Sequence, residues 1–124
     1  KVDAAIARPL NPDDVKDEII NIGTIQGIGS VGLGDGLKKM GRTTGLTQGS
    51  VDQINVTVEV SYGPDKIATF TEQLMAGAMS AGGDSGSAVL DMNNNLTGLL
   101  FAGSDTSTII SPIGFVFSAL NLSL

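Results

Sequence analysis

The chain contains no cysteine and no histidine. Without cysteine there is no disulfide, no thiolate metal site and no thiol nucleophile. Without histidine there is no imidazole metal ligand, and the side chain that most often serves as general base near neutral pH is missing. Basic residues are scarce, 7 against 13 acidic, for a formal net charge of −6. No basic run is longer than Lys38-Lys39. That balance excludes phosphate-backbone binding as the main task, so no nucleic-acid partner is expected. No apolar run approaches the roughly 18 residues that span a bilayer, so no membrane partner is expected either. The start, Lys1 followed by VDAAIA and then charged residues, is not a signal peptide. It also lacks Met, and is read as a processed end or an excised piece; the missing histidine then reflects the boundaries of the piece.

What is present is glycine, 17 residues in 124, about twice the usual share of roughly 7%. The length suits one domain or part of a larger one, and 41% hydrophobic content supplies a core. Val2 to Ala7 reads as a short buried strand with Asp3 the odd member. Arg8 to Glu18 is polar with two prolines and reads as a linker, with one helical turn after Asn11-Pro12. Ile19 to Gln26 is β-rich, Gly27 to Gly36 a glycine-rich loop, and Leu37 to Met40 a short strand. In Val51 to Ser61, Val56, Val58 and Val60 point one way and Thr57, Glu59 and Ser61 the other. Gly63-Pro64-Asp65 turns that strand into Ile67 to Leu74. Ser87 to Asp91 and Leu96 to Ala102 form a second hairpin. Ile109 to Ile113 is a last strand interrupted by Pro112, and a short helix closes the chain around Val116 and Leu120. The pattern predicts an all-β barrel or sandwich.

Gly27-Ile28-Gly29-Ser30-Val31-Gly32 matches a dinucleotide fingerprint, but more glycine follows where a helix should open, so no nucleotide cofactor is expected. Asp91-Met92-Asn93-Asn94-Asn95 starts like a calcium loop. Leu96 and Ala102 then stand where glycine and glutamate belong, so no metal is expected. The strongest signal is Gly82-Gly83-Asp84-Ser85-Gly86-Ser87. Small residues on both sides of a serine let the backbone turn tightly, expose the hydroxyl and aim successive N–H groups at one spot.

Taken with Gly41-Arg42-Thr43-Thr44-Gly45 before it, and Gly98-Leu99-Leu100-Phe101-Ala102-Gly103-Ser104 and Pro112 after it, this hexapeptide resembles the trypsin-like serine peptidases of the chymotrypsin fold, most closely their bacterial branch. The resemblance covers most of the chain. It implies a six-stranded antiparallel Greek-key barrel with a short C-terminal helix, the second of two barrels. Residues 1–7 would be the last strand of a first barrel, 8–18 the linker and 19–124 the second barrel. It implies Ser85 as nucleophile, with the N–H groups of Gly83 and Ser85 as oxyanion hole. Asp84 would brace the loop, paired with Arg42. Asp3 would orient a histidine that precedes it in family order and so lies outside this chain. Leu100 to Ser104, with Phe101, Ala102 and Gly103, would pair with an extended substrate, and Met79 and Ser80 would floor the specificity pocket. Neither is charged, which favours a small or apolar side chain at the cleavage site.

The expected function is thus the C-terminal part of a serine endopeptidase that hydrolyses peptide bonds through an acyl-enzyme, with the isolated chain inactive. Lys38, Lys39 and Lys66 are set aside as substitute bases because a polar doublet and a turn are not dry enough to lower a lysine pKa. The competing expectation is a non-catalytic binding or scaffold barrel that keeps the motif for loop structure alone. The expected partners are a peptide or protein substrate, the missing first barrel, and a second copy of the chain. No cofactor is implied, and the lack of cysteine fits both cytoplasm and export.

Overall fold

The computed structural model describes residues 1–124. Val56, Val58 and Val60 are half-buried while Thr57, Glu59 and Ser61 are exposed, the period-2 pattern of a strand with one face inward. The strands are β1 (Gly27–Ile28), β2 (Gly36–Gly41), β3 (Gly45–Ser61), β4 (Ile67–Gly77), β5 (Ala88–Asp91), β6 (Asn95–Gly103) and β7 (Ser107–Pro112). Helix α1 (Ile113–Leu120) follows. Antiparallel pairs run in the order β6-β5-β2-β3-β4-β7, and β7 pairs back onto β6, so six strands close into a ring. β5 returns to lie beside β2, which makes β5-β2-β3-β4 a Greek key. β5 pairs with β6 only as far as Leu99, so beyond Leu100 the edge of β6 away from β7 carries no strand. β1 is added outside the ring, parallel to β6 through Gly27↔Asn95 and Ile28↔Leu96. The chymotrypsin-like barrel with a short terminal helix, expected from the sequence, is the observed fold.

The interior is filled from every strand of the ring, with Leu37, Val51, Leu74, Val89, Leu100 and Ile110 at its centre. A smaller cluster of Leu96, Ile113 and Val116 seats α1, and Val2 and Ala4 pack against it. The helix ends at Asn121 in the left-handed conformation, whose N–H returns to the Phe117 and Ser118 carbonyls.

Several elements depart from expectation. Val2 to Ala7 forms no strand; Val2 and Ala4 are half-buried on the small cluster and Asp3 is exposed. Ile19 to Gln26 carries one isolated bridge, Ile19↔Gly23, around a turn with Asn21 at φ 64. β1 opens the stretch expected to be all loop. β3 begins at Gly45, six residues before Val51, because the Gly41↔Gly45 pair closes the hairpin directly onto β2. Pro112 ends β7 and α1 begins one residue later. The calcium-like stretch is the β5–β6 turn: Asp91 accepts from the N–H groups of Asn93 and Asn95, both at 2.9 Å.

Candidate active site

The loop between β4 and β5 carries Gly82 to Ser87. Gly83 sits at φ +102, and a Cβ there would collide with the Thr43 hydroxyl, so both conformation and space demand glycine. Asp84 turns inward and is fully buried. Its Oδ1 accepts from the N–H groups of Thr43 at 2.7 Å and Thr44 at 3.1 Å. Its Oδ2 accepts from the Thr44 hydroxyl at 2.6 Å and the Ala81 N–H at 3.0 Å. The Thr43 hydroxyl donates to the Gly82 carbonyl at 2.9 Å, so the β2–β3 turn is stitched to the serine loop at two places. Burial alone would raise the Asp84 carboxyl; the bonds from the Thr44 hydroxyl and the Ala81, Thr43 and Thr44 amides outweigh it and hold the group well below the usual carboxylate range.

With Asp84 anchored inward, Ser85 next to it is exposed. Its hydroxyl donates only a long bond, 3.5 Å, to the Phe101 carbonyl. The Gly83 and Ser85 N–H groups, which flank Asp84, donate to no backbone or side-chain acceptor. The loop is closed onto β6 by Gly86 N–H to the Leu100 carbonyl at 2.7 Å and Leu100 N–H to the Ser87 carbonyl at 2.9 Å. A β-bulge at Phe101 lets its ring lie on Phe70, with centroids 4.5 Å apart.

Two cavities meet at Ser85. One, of about 400 Å³, is lined by Ser80, Phe101, Ala102, Gly103, Ser104 and Asp105. The other, of about 390 Å³, holds Asp3 and Ser85 together with Leu99 and Phe101. Asp3 accepts a 2.8 Å bond from the hydroxyl of Tyr62, at the tip of the β3–β4 hairpin.

No family model matches the chain. In sequence it is 34% identical over 98 residues to Serine protease 1 of Streptomyces fradiae, which covers 74% of this chain and 26% of that protein. In structure it matches Thermobifida fusca Protease A with TM-score 0.73 at 28% identity, over 85% of this chain and 57% of that one. It matches the Nocardiopsis protease NAPase with TM-score 0.69 at 25% identity, over 85% and 57%. In sequence and in fold this chain is similar to bacterial chymotrypsin-like serine proteases. It spans about a quarter of the length of the Streptomyces protein and somewhat over half of each of the two structures.

Within this barrel the structure corrects two expected placements. Arg42 is exposed and forms no ion pair; the cation beside Asp84 is Lys39, 3.6 Å from Oδ2, and both side chains are fully buried. The Arg42-containing turn does hold Asp84, but through the amides of Thr43 and Thr44 and the Thr44 hydroxyl. Met79 lies in the core, 3% exposed, and lines neither cavity. Its backbone is pinned, the N–H donating to the Thr108 hydroxyl and the carbonyl accepting from Thr47. Ser80 does face the larger cavity, with its hydroxyl 2.9 Å from that of Thr108.

Lys39 also overturns the reading of the lysine doublet as wet: Lys38 is half-buried and Lys39 fully enclosed. The missed signal was phase. Leu37, Lys39 and Gly41 share the inward face of β2, so a lysine two residues from a core leucine must face the core. Asp105 was missed too; it places a carboxylate in the lining of the Ser80 cavity.

Proposed function

We propose that this chain supplies the nucleophile and oxyanion hole of a serine endopeptidase. The observation that carries the reading is the pair of undonated N–H groups at Gly83 and Ser85, held beside an exposed hydroxyl by a buried, immobilised Asp84. In this reading an extended peptide lies along Leu100 to Ser104, as an added strand. The Ser85 Oγ attacks its carbonyl carbon while a base takes the hydroxyl proton. The carbonyl oxygen becomes an oxyanion that accepts from the two N–H groups. Collapse breaks the C–N bond, the amine leaves with the proton, and water then releases the acyl group from Ser85. The base is a histidine supplied from outside these 124 residues, which contain none. Asp3, in the same cavity as Ser85, orients it. The chain by itself has no base bonded to Ser85 and is inactive. The Ser80 cavity, lined by hydroxyls, small residues, Leu100 and Phe101, with Asp105 the one charged group and no basic one, takes a small or apolar side chain.

Labelling of the full-length protein with a fluorophosphonate tests this. One adduct is expected, on Ser85, and none in Ser85→Ala. An unlabelled but folded full-length protein would instead support a scaffold barrel. One feature favours that second reading: the only acceptor near the Ser85 hydroxyl in this chain is a backbone carbonyl.

A further inference from the structure

Asp3 is exposed and lies outside every strand, yet it stands in the same cavity as Ser85. We infer that Tyr62 is a positioning residue that aims the Asp3 carboxylate; the inference rests on reading Asp3 as the group that orients the base.

The backbone on both sides of Asp3 is placed, because Val2 and Ala4 pack against the cluster that seats α1. That packing does not place the carboxylate. An aspartate side chain turns about its own bonds, and its two oxygens offer about four lone-pair sites. The cavity that Asp3 shares with Ser85 holds one further polar side chain, Ser111. The Ser111 hydroxyl is committed to the buried Gln73 at 2.7 Å, and the Ser85 hydroxyl faces the Phe101 carbonyl. Neither holds Asp3. The donor is Tyr62, 59 positions further along the chain, whose hydroxyl gives a 2.8 Å bond to Asp3 Oδ2.

The β3–β4 hairpin is shaped to deliver that hydroxyl. Tyr62 directly follows the last residue of β3. Its N–H donates to the Lys66 carbonyl at 2.7 Å, and the Lys66 N–H donates to the Gly63 carbonyl at 3.1 Å. Gly63 at φ 137 and Asp65 at φ 60 turn the chain, and Pro64 between them fixes its own φ. A phenol on so closed a tip is a stiff arm, because tyrosine loses little conformational freedom when its ring is placed. It engages Oδ2 and leaves Oδ1 without a partner, so one oxygen is fixed and the other is open to the N–H of an imidazole. Tyr62 lines neither cavity at Ser85, and so acts through Asp3 and not on the peptide. Misplacing a catalytic group by about 1 Å can cost about 100-fold in rate, which is why the aim of a carboxylate matters as much as its presence.

The test compares the full-length parent with Tyr62→Phe, which keeps the ring and removes only the hydroxyl. The expected result is a fall in kcat for peptide hydrolysis of about tenfold, the worth of one hydrogen bond to a charged group. KM stays within about threefold, because the lost bond serves the transition state and not substrate binding. A double-mutant cycle separates this from a merely structural role. On an Asp3→Asn background, where the accepting charge is gone, Tyr62→Phe costs less than about twofold in the residual rate. Lys66→Ala, which alters the same tip and spares the phenol, leaves kcat within about twofold. An active parent whose kcat is unchanged or raised in Tyr62→Phe overturns the inference, a rise marking a contact that obstructs the base. Equal losses on the parent and Asp3→Asn backgrounds overturn it as well, since Tyr62 then acts elsewhere. So does a loss in Lys66→Ala equal to that in Tyr62→Phe. A parent that neither cleaves peptide nor takes the fluorophosphonate fails the protease reading and this inference with it. A labelled, active parent with a silent Tyr62→Phe fails this inference alone.

Discussion

Gly41 and Gly36 end the same strand, and replacing each by alanine separates two effects that usually arrive together. Either change removes conformational freedom from the unfolded chain, which favours the folded state by about 0.4–1 kcal/mol when the new methyl fits. Neither glycine has a positive φ, so the backbone accepts alanine at both. The surroundings differ. At Gly36 a Cβ would meet only the Met92 side chain, 2.9 Å from Cε and 3.0 Å from Cγ. Met92 is 47% exposed and can swing away. At Gly41 a Cβ would lie 2.7 Å from Asp84 Cγ and 3.1 Å from its Cβ, against a carboxylate that four hydrogen bonds and Lys39 hold fixed. Overpacking a rigid site costs about 1–3 kcal/mol. Gly36→Ala should therefore be neutral or stabilising by up to about 1 kcal/mol. Gly41→Ala should be destabilised by about 1–3 kcal/mol, with a drop in Tm of several degrees. With no tryptophan in the chain, far-UV circular dichroism during thermal and urea unfolding is the suitable probe. Equal stability of the two variants would refute the claim that Asp84 is immobile.

Two further outcomes concern ionisation. Tyr62 is the one tyrosine of the chain, so phenolate absorbance reports it alone. The hydrogen bond to Asp3, with smaller contributions from burial and from the Asp3 charge, raises its pKa. A raised acid of this kind contributes stability that is fully present below the unfolded value of about 10 and is lost as pH rises through the folded value. The titration midpoint should lie above 10 and return towards it in Asp3→Asn; an unmoved midpoint would show that the Asp3–Tyr62 contact is not formed in solution. Asp84 has the opposite sign. Its lowered pKa contributes stability that is present above the unfolded value of about 4 and lost as pH falls towards the folded one. Stability measured from about pH 6 down to pH 2 should fall more steeply in the parent than in Asp84→Asn, and parallel curves would contradict the hydrogen-bonded carboxylate.

Much of the barrel was legible because its strands carry one wet face. The valine alternation at Val56, Val58 and Val60 fixes a strand without further help, and the turn residues on either side fix its partner. Gly82 to Ser87 was legible for a different reason: only a loop that must bend sharply and leave amides free tolerates so little side chain. Val2 to Ala7 pairs with no strand of this chain, and its apolar character is used only in part, through Val2 and Ala4. Val2 and Ala4 lie against the cluster that seats α1, while Ile6 stays exposed.

The Arg42 and Lys39 exchange shows where local pattern gives way to register. In the tight Gly41–Gly45 turn Thr43 and Thr44 turn their hydroxyls onto the serine loop, and the Arg42 guanidinium lies beside Gly83 without pairing with Asp84. A residue on the inward phase of β2 faces the core, whatever its charge. Arginine in the turn and lysine in the strand lie three positions apart. The hairpin geometry selects between them. The glycine excess belongs to the same device. Gly41 leaves the space into which Asp84 turns, Gly83 takes a backbone conformation that leaves its N–H undonated, and Lys39 places a buried cation 3.6 Å from the carboxylate. Removing any one of the three acts on Ser85 without touching it. Substitutions on the inner face of β2 should therefore perturb the serine loop more than those at the exposed Arg42, although Arg42 belongs to the turn whose amides hold Asp84.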